Sequence, residues 1–183
     1  MVKVVIQSTE DLDVNSVILS SIRREKISHY KQEQAILLSI AAEAALNKAV
    51  CEVYPDTVLP LRYSYDDKGK PYFLDIDLHF SLSHSGTLAV CAVSDKEIGV
   101  DIEKMREVNM AVADRCFTKE ECEYIRNSQN MQKAFFEIWT RTEARAKLTG
   151  KGIAWGHDVD GEVTYEMAEL AGGYVVCVCR YMD

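Results

Sequence analysis

Apolar residues recur along the chain with two periods, and the switches between them mark its elements. Val2 to Gln7 is β-branched and weakly alternating, which predicts a strand. Val14 to Ile27 places apolar residues at 14, 17, 18 and 22, a helical spacing. Gln32 to Cys51 is rich in Ala, Leu and Ile without Gly or Pro and predicts a buried helix. Pro55 and Pro60 interrupt the pattern. Leu61 to Tyr65 then reads as a strand and Asp66-Asp67-Lys68-Gly69 as a turn. His79 to Ser83, Leu88 to Val93 and Ile98 to Ile102 are short strands separated by turns. Thr118-Lys119-Glu120-Glu121 matches a capping box and opens a helix to about Arg126. Met131 to Leu148 predicts a second strong helix, closed by Gly150 and Gly152. Val159 to Met167 and Tyr174 to Tyr181 are terminal strands.

Each half of the chain thus reads as helices followed by strands. Leu88 to Val93 also looks like Tyr174 to Cys179, both short apolar runs containing Val and Cys. The expectation is an α+β fold of two similar α/β halves, residues 1–98 and 99–183, forming one compact unit. A duplicated chain of this kind is expected to be a monomer.

Composition narrows the function classes. With 183 residues, 48% hydrophobic and 27% charged, the chain is expected to fold rather than remain disordered. No apolar run approaches the roughly 20 residues of a membrane span. The segment Met1 to Ile6 is too short for a signal peptide, so a soluble cytoplasmic protein is expected. A net charge of -8 argues against nucleic acid as partner. Arg23, Arg24, Lys26 and Lys31 nevertheless form a local basic cluster, which by itself fits a solvated helix face. The six cysteines include no CxxC pair and no zinc spacing, and they are expected to be buried reduced thiols. His29, His79 and His157 have no partners at metal spacing.

Three segments carry candidate chemistry. Asp101 and Glu103 lie two apart on a strand, so both carboxylates share a face while Val100 and Ile102 point to the core. They form either a solvent-facing acidic edge or ligands for a hard divalent cation such as Mg²⁺. Glu143 and Lys147 are four apart on a helix face. They are either an ordinary ion pair or a third metal ligand and a phosphate clamp. Trp139, one turn earlier, is expected to pack the helix against the sheet. Ser83-His84-Ser85-Gly86 ends a strand in a turn whose hydroxyls and imidazole suit phosphate oxygens. Adjacent residues on a strand point to opposite faces, which places Ser83 and His84 poorly as nucleophile and base.

The order Gly69-Lys70-Pro71, Ser83-His84-Ser85-Gly86, Gly99-Val100-Asp101-Ile102-Glu103 and Trp139-x-x-x-Glu143-Ala144-x-x-Lys147 resembles the 4′-phosphopantetheinyl transferase superfamily. The two-half organisation looks like its monomeric, surfactin-type branch. The resemblance covers residues from about 20 to 155. It implies a pseudo-duplicated fold with the site between the halves. It also implies transfer of phosphopantetheine from coenzyme A to a serine of an apo acyl or peptidyl carrier protein, with release of 3′,5′-ADP. Asp101, Glu103 and Glu143 would bind Mg²⁺, with Mn²⁺ as a substitute. Asp101, Glu143 and Lys147 would be catalytic, Glu143 as general base directly or through water. Lys147 would steady the pyrophosphate. Arg23, Lys26, Lys70, Ser83 and His84 would contact coenzyme A, with Arg23, Lys26 and His84 at its 3′-phosphate.

Two features depart from the family pattern. Thr142 stands where many members carry Lys, and Ala35 and Leu38 where an Asp-x-x-Arg pattern is usual. The second departure predicts weaker coenzyme A binding or compensation from Arg24 or Lys31. The alternatives are a non-catalytic relative that binds coenzyme A or a carrier, or a different metal-dependent phosphoryl enzyme.

Overall fold

A computed structural model describes residues 1–152 and 161–182. Two three-stranded antiparallel sheets form its centre. The first contains β1 (Val2–Ser8), β4 (His79–Ser85) and β5 (Leu88–Ser94), in the order β1-β5-β4. The second contains β6 (Ile98–Lys104), β7 (Val163–Leu170) and β8 (Tyr174–Tyr181), in the order β6-β8-β7. In each, a hairpin returns its last strand to lie between its partner and the opening strand. The central strands β5 and β8 are the two runs whose sequences look alike. The architecture is a pseudo-duplicated α/β fold of two similar sheets with flanking helices.

Strand alternation builds the layers. Cys91 and Val93 of β5 face Ala45, Leu46, Ala49 and Val50 of α2 (Glu33–Val53). Val90 and Ala92, between them, face Val100, Ile102, Val176 and Val178 of the second sheet. Cys177 and Cys179 of β8 pack under Ala144 and Leu148 of α5 (Met131–Thr149). The layers therefore run α2, sheet, sheet, α5. All six cysteines are reduced, four of them buried.

The sheets also meet edge to edge, at β4 and β6. Ser81, Ser83 and Ser85 share one face of β4. Ser81 Oγ accepts Val100 N–H at 3.0 Å and Ser85 Oγ accepts Lys104 N–H at 3.1 Å. Ser83 Oγ donates to Asp101 Oδ1 at 2.6 Å, and Ser85 Oγ to Glu103 Oε2 at 2.8 Å. Phe80 and Leu82, on the other face, fill the α2 core.

Several expectations need correction. Each half opens with a strand, not a helix. The helix expected over 14–27 is a short 3₁₀ turn (Val14–Ser16) followed by α1 (Ser21–Ser28). Ser20 divides them: its hydroxyl accepts Arg23 N–H and caps α1, so its own backbone is extended. α3 (Met110–Cys116), capped by Asn109, has no counterpart in the sequence pattern, because seven residues give too little periodicity. The Thr118 capping box is present and opens α4 (Lys119–Asn127). Tyr63–Tyr65 (β2) and Pro71–Phe73 (β3) pair across the expected turn, where Gly69 has φ +83°. Residues 159 and 160 of the predicted strand, and His157, lie outside the described residues; the strand observed there is Val163–Leu170. Among the described residues, no helix is long and apolar enough to cross a membrane.

Gly99 sets how closely α5 approaches β6. A Cβ there would stand 2.0 Å from the Ala144 carbonyl oxygen and 2.5 Å from Leu148 N. Gly99→Ala must therefore push the helix backbone away. The expected loss is about 3 kcal/mol or more, at the upper end of overpacking costs. It will be read as a fall in the denaturant midpoint at unchanged slope.

Candidate functional site

A cleft of about 520 Å³ opens between α1, α2, the β2–β3 turn, β4, β6 and α5. Its charges come from different elements, with α5 alone contributing both signs. Arg23 and Lys26 come from α1, Lys68 and Lys70 from the β2–β3 turn, and Lys147 from α5. Asp101 and Glu103 come from β6 and Glu143 from α5. Five cations and three carboxylates thus line one cavity of a chain with net charge -8.

On the acidic side, α5 lies over β6 because Gly99 admits its backbone. Asp101 is 3% exposed, so it is not the solvent-facing edge acid that strand alternation alone allows. Its Oδ1 accepts Lys147 Nζ at 2.6 Å and the Ser83 hydroxyl, while Oδ2 is buried without a partner. Lys147 also donates to Ser83 Oγ at 2.7 Å, so its ion pair is with Asp101 and not with Glu143. Glu103 Oε1 accepts the Trp139 indole N–H at 3.1 Å, and Oε2 is 3.2 Å from Arg106 Nη1. Trp139 stacks on Phe135 (centroids 6.2 Å apart, planes 7° apart), which fixes the indole that steadies Glu103. Burial pushes the Asp101 carboxyl upward, against the pull of Lys147 and Ser83. Burial, and then the Asp101 charge, raise Glu143.

The cationic side is tied down differently. Arg23 is 4% exposed and paired with the wholly buried Glu43. Lys26 lies 5.7 Å from the centre of the Tyr65 ring, and burial followed by Arg23 lowers its pKa. Lys70 donates to the Leu148 carbonyl at 2.5 Å and pairs with Glu97, capping the C-terminal end of α5. His84, exposed on the face of β4 opposite the serines, is held below its ordinary pKa. Desolvation is the largest cause, followed by Lys147 and Lys26, with Arg23 adding to it. The cations around His84 mark a region of positive potential suited to an anion.

Residues 97–173 match the profile of the 4′-phosphopantetheinyl transferase superfamily. The chain is 28% identical to the 4′-phosphopantetheinyl transferase ffp of Bacillus subtilis, over 94% of this chain and 86% of that protein. It is 31% identical to the 4′-phosphopantetheinyl transferase gsp of Aneurinibacillus migulanus, over 78% of this chain and 62% of that one. Similarity to the 4′-phosphopantetheinyl transferase HetI of Nostoc is 37% over 57% of this chain and 48% of that one. The chain is thus similar to 4′-phosphopantetheinyl transferases along most of its length, and its C-terminal half matches their superfamily.

Every site residue singled out from the sequence lines this cleft. Several have partners that sequence did not show. Ser83 is committed to Asp101 and Lys147, Lys70 to the end of α5, and Arg23 to Glu43. The departures fall outside the cleft. Thr142 is buried with its hydroxyl on the Ile138 carbonyl, and Leu38 is buried beside Ser39, which does line the cavity. Arg24 turns back onto the Leu19 carbonyl, and neither it nor Lys31 lines the cleft. The additional cation there is Lys68, placed by Asp66 Oδ1, which accepts the N–H groups of Lys68 and Lys70 at 2.9 and 2.8 Å. Among the described residues, no three His, Cys, Asp or Glu side chains close a ready-made metal cage. The three cleft acids form an all-oxygen donor set, and the unpartnered Asp101 Oδ2 suits a hard cation completed by water and phosphate oxygens.

The electrostatics predict a stability signature. A carboxyl whose pKa is raised on folding favours the folded state below its unfolded pKa. That contribution is lost as pH rises through the folded value. Glu143 is such a group. Glu143→Gln is therefore expected to raise Tm at pH 7 in metal-free buffer. The gain should close below about pH 4, where Glu is protonated in both states. Thermal unfolding at the two pH values reads this directly.

Proposed function

We propose that this protein transfers the 4′-phosphopantetheine arm of coenzyme A to a serine of an apo acyl or peptidyl carrier protein. Such a reaction is the holo-[acyl-carrier-protein] synthase type. The observation that carries it is that five cations and three carboxylates line one cleft. A polyphosphate substrate needs both: cations for its terminal phosphate and metal-binding acids beside its pyrophosphate. The two similar sheets, and the 86% coverage of a Bacillus subtilis relative, support the monomeric, surfactin-type branch. The residue ranges 1–98 and 99–183 are its two halves. A cytoplasmic location goes with that assignment.

The roles follow from position. Arg23, Lys26 and His84 take the 3′-phosphate of coenzyme A, with Lys68 and Lys70 flanking. Asp101, Glu103 and Glu143 hold Mg²⁺. Held by these three acids, the cation would supply electrostatic stabilisation of charge developing on phosphate oxygens. Lys147 moves from Asp101 toward the pyrophosphate. Glu143, its pKa raised by burial, accepts the carrier serine proton directly or through water. The serine oxygen bonds to the β-phosphorus, the bond to the other phosphate breaks, and 3′,5′-ADP leaves. The two departures stay outside the cavity, so no observation favours a non-catalytic relative.

Intact mass of an apo acyl carrier protein, incubated with this protein, coenzyme A and Mg²⁺, is expected to rise by one phosphopantetheine. EDTA should abolish the gain. Asp101→Ala is expected to lower the transfer rate by about a hundredfold or more; near-normal transfer would remove the metal assignment. His84→Ala is expected to raise KM for coenzyme A more than it lowers kcat. The opposite split would move His84 into the chemical step.

A further inference from the structure

Glu43 is a fully buried acid in the run Ile40-Ala41-Ala42-Glu43-Ala44-Ala45-Leu46 of α2. Its oxygens are all engaged with α1 and β2. Oε1 accepts Ser20 N–H at 2.9 Å, and Oε2 accepts Arg23 Nε–H at 3.0 Å and the Tyr63 hydroxyl at 2.7 Å. Ser20 in turn donates its hydroxyl to Tyr63 at 3.2 Å while capping α1 through Arg23 N–H. Arg23 Nη1 donates to Ser39 Oγ at 3.2 Å, and Nη2 is buried without a partner. Arg23 and Ser39 are both cleft residues; Glu43 and Ser20 are not.

A buried ion pair of this kind is poor at adding stability, because desolvating two charges consumes most of the attraction. It is good at fixing orientation. The Glu43 carboxylate holds the first turn of α1 by backbone and side chain together, so Lys26, on the following turn, is held as well. The guanidinium is clamped on two of its three nitrogens and keeps Nη2 uncommitted. We infer that Glu43 is a positioning residue, which locks α1 and the Arg23 guanidinium so that Arg23 and Lys26 meet the terminal phosphate of the cleft's ligand. This rests on coenzyme A being that ligand.

The test compares coenzyme A with dephospho-coenzyme A, which lacks the 3′-phosphate. Glu43→Gln keeps the shape and removes the balancing charge. It is expected to raise KM for coenzyme A about tenfold, as loss of a charge-assisted phosphate contact would. kcat and the KM for dephospho-coenzyme A should stay within about twofold. An equal rise for both substrates would make Glu43 a general fold element and overturn the inference, as would no change for either. Should the Gln variant not fold, Tyr63→Phe and Ser39→Ala each remove one bond of the clamp. Each is expected to give a smaller rise confined to coenzyme A; no selective rise in either would overturn the inference. Failure of the underlying assignment looks different, because the unmodified protein would then neither bind nor use coenzyme A.

Discussion

The seam between β4 and β6 is the contact on which the rest of the molecule depends. Two sheet edges face each other there without a shared backbone ladder. Serine hydroxyls of β4 take the place of that ladder, accepting Val100 N–H and Lys104 N–H while donating to Asp101 and Glu103. One strand face therefore joins the sheets and orients two cleft acids. The same seam sends His84, on the opposite face of β4, toward the cations of α1. α5 completes the arrangement only because Gly99 lets its backbone settle onto β6.

Much of this frame was legible in the chain. Period-two alternation placed Asp101 and Glu103 on one face and Val100 and Ile102 on the other, and the packing agrees. The Thr118 capping box is a local signal and marked its helix correctly. The likeness of two short apolar runs pointed to the central strands of two sheets with the same order. Tertiary partners were less legible. An i,i+4 pattern offered Lys147 to Glu143, but Asp101, forty-six residues earlier, lies within 2.6 Å. Ser20 ended a helical pattern that apolar spacing alone carried back to Val14. Glu43 stands out little in an alanine-rich helix, although an acid flanked by apolar residues on a buried helix needs a partner somewhere. Lys68 looked like an ordinary turn residue until the hairpin placed it in the cleft.

Charge is organised at two scales. Overall the chain is strongly acidic, which keeps like-charged polymers away. Locally, residues from α1 and the β2–β3 turn make one cationic wall. The pKa shifts of His84 and Lys26 reflect that wall, since desolvation and neighbouring positive charge both disfavour protonation there. A short-range trap of this kind survives physiological ionic strength better than a diffuse surface field, because its charges lie within a Debye length and partly out of water.

The seam also bears on how the protein avoids self-association. A three-stranded sheet has two open edges, so this pair of sheets starts with four. β4 and β6 close two of them against each other, with hydroxyls on backbone donors that would otherwise remain exposed. β7 is left as an outer edge of the second sheet. It carries Glu166, paired with Arg180, and Glu169, paired with Lys133. An incoming strand would have to lie against these charges in order to pair, which disfavours edge-to-edge growth of the sheet.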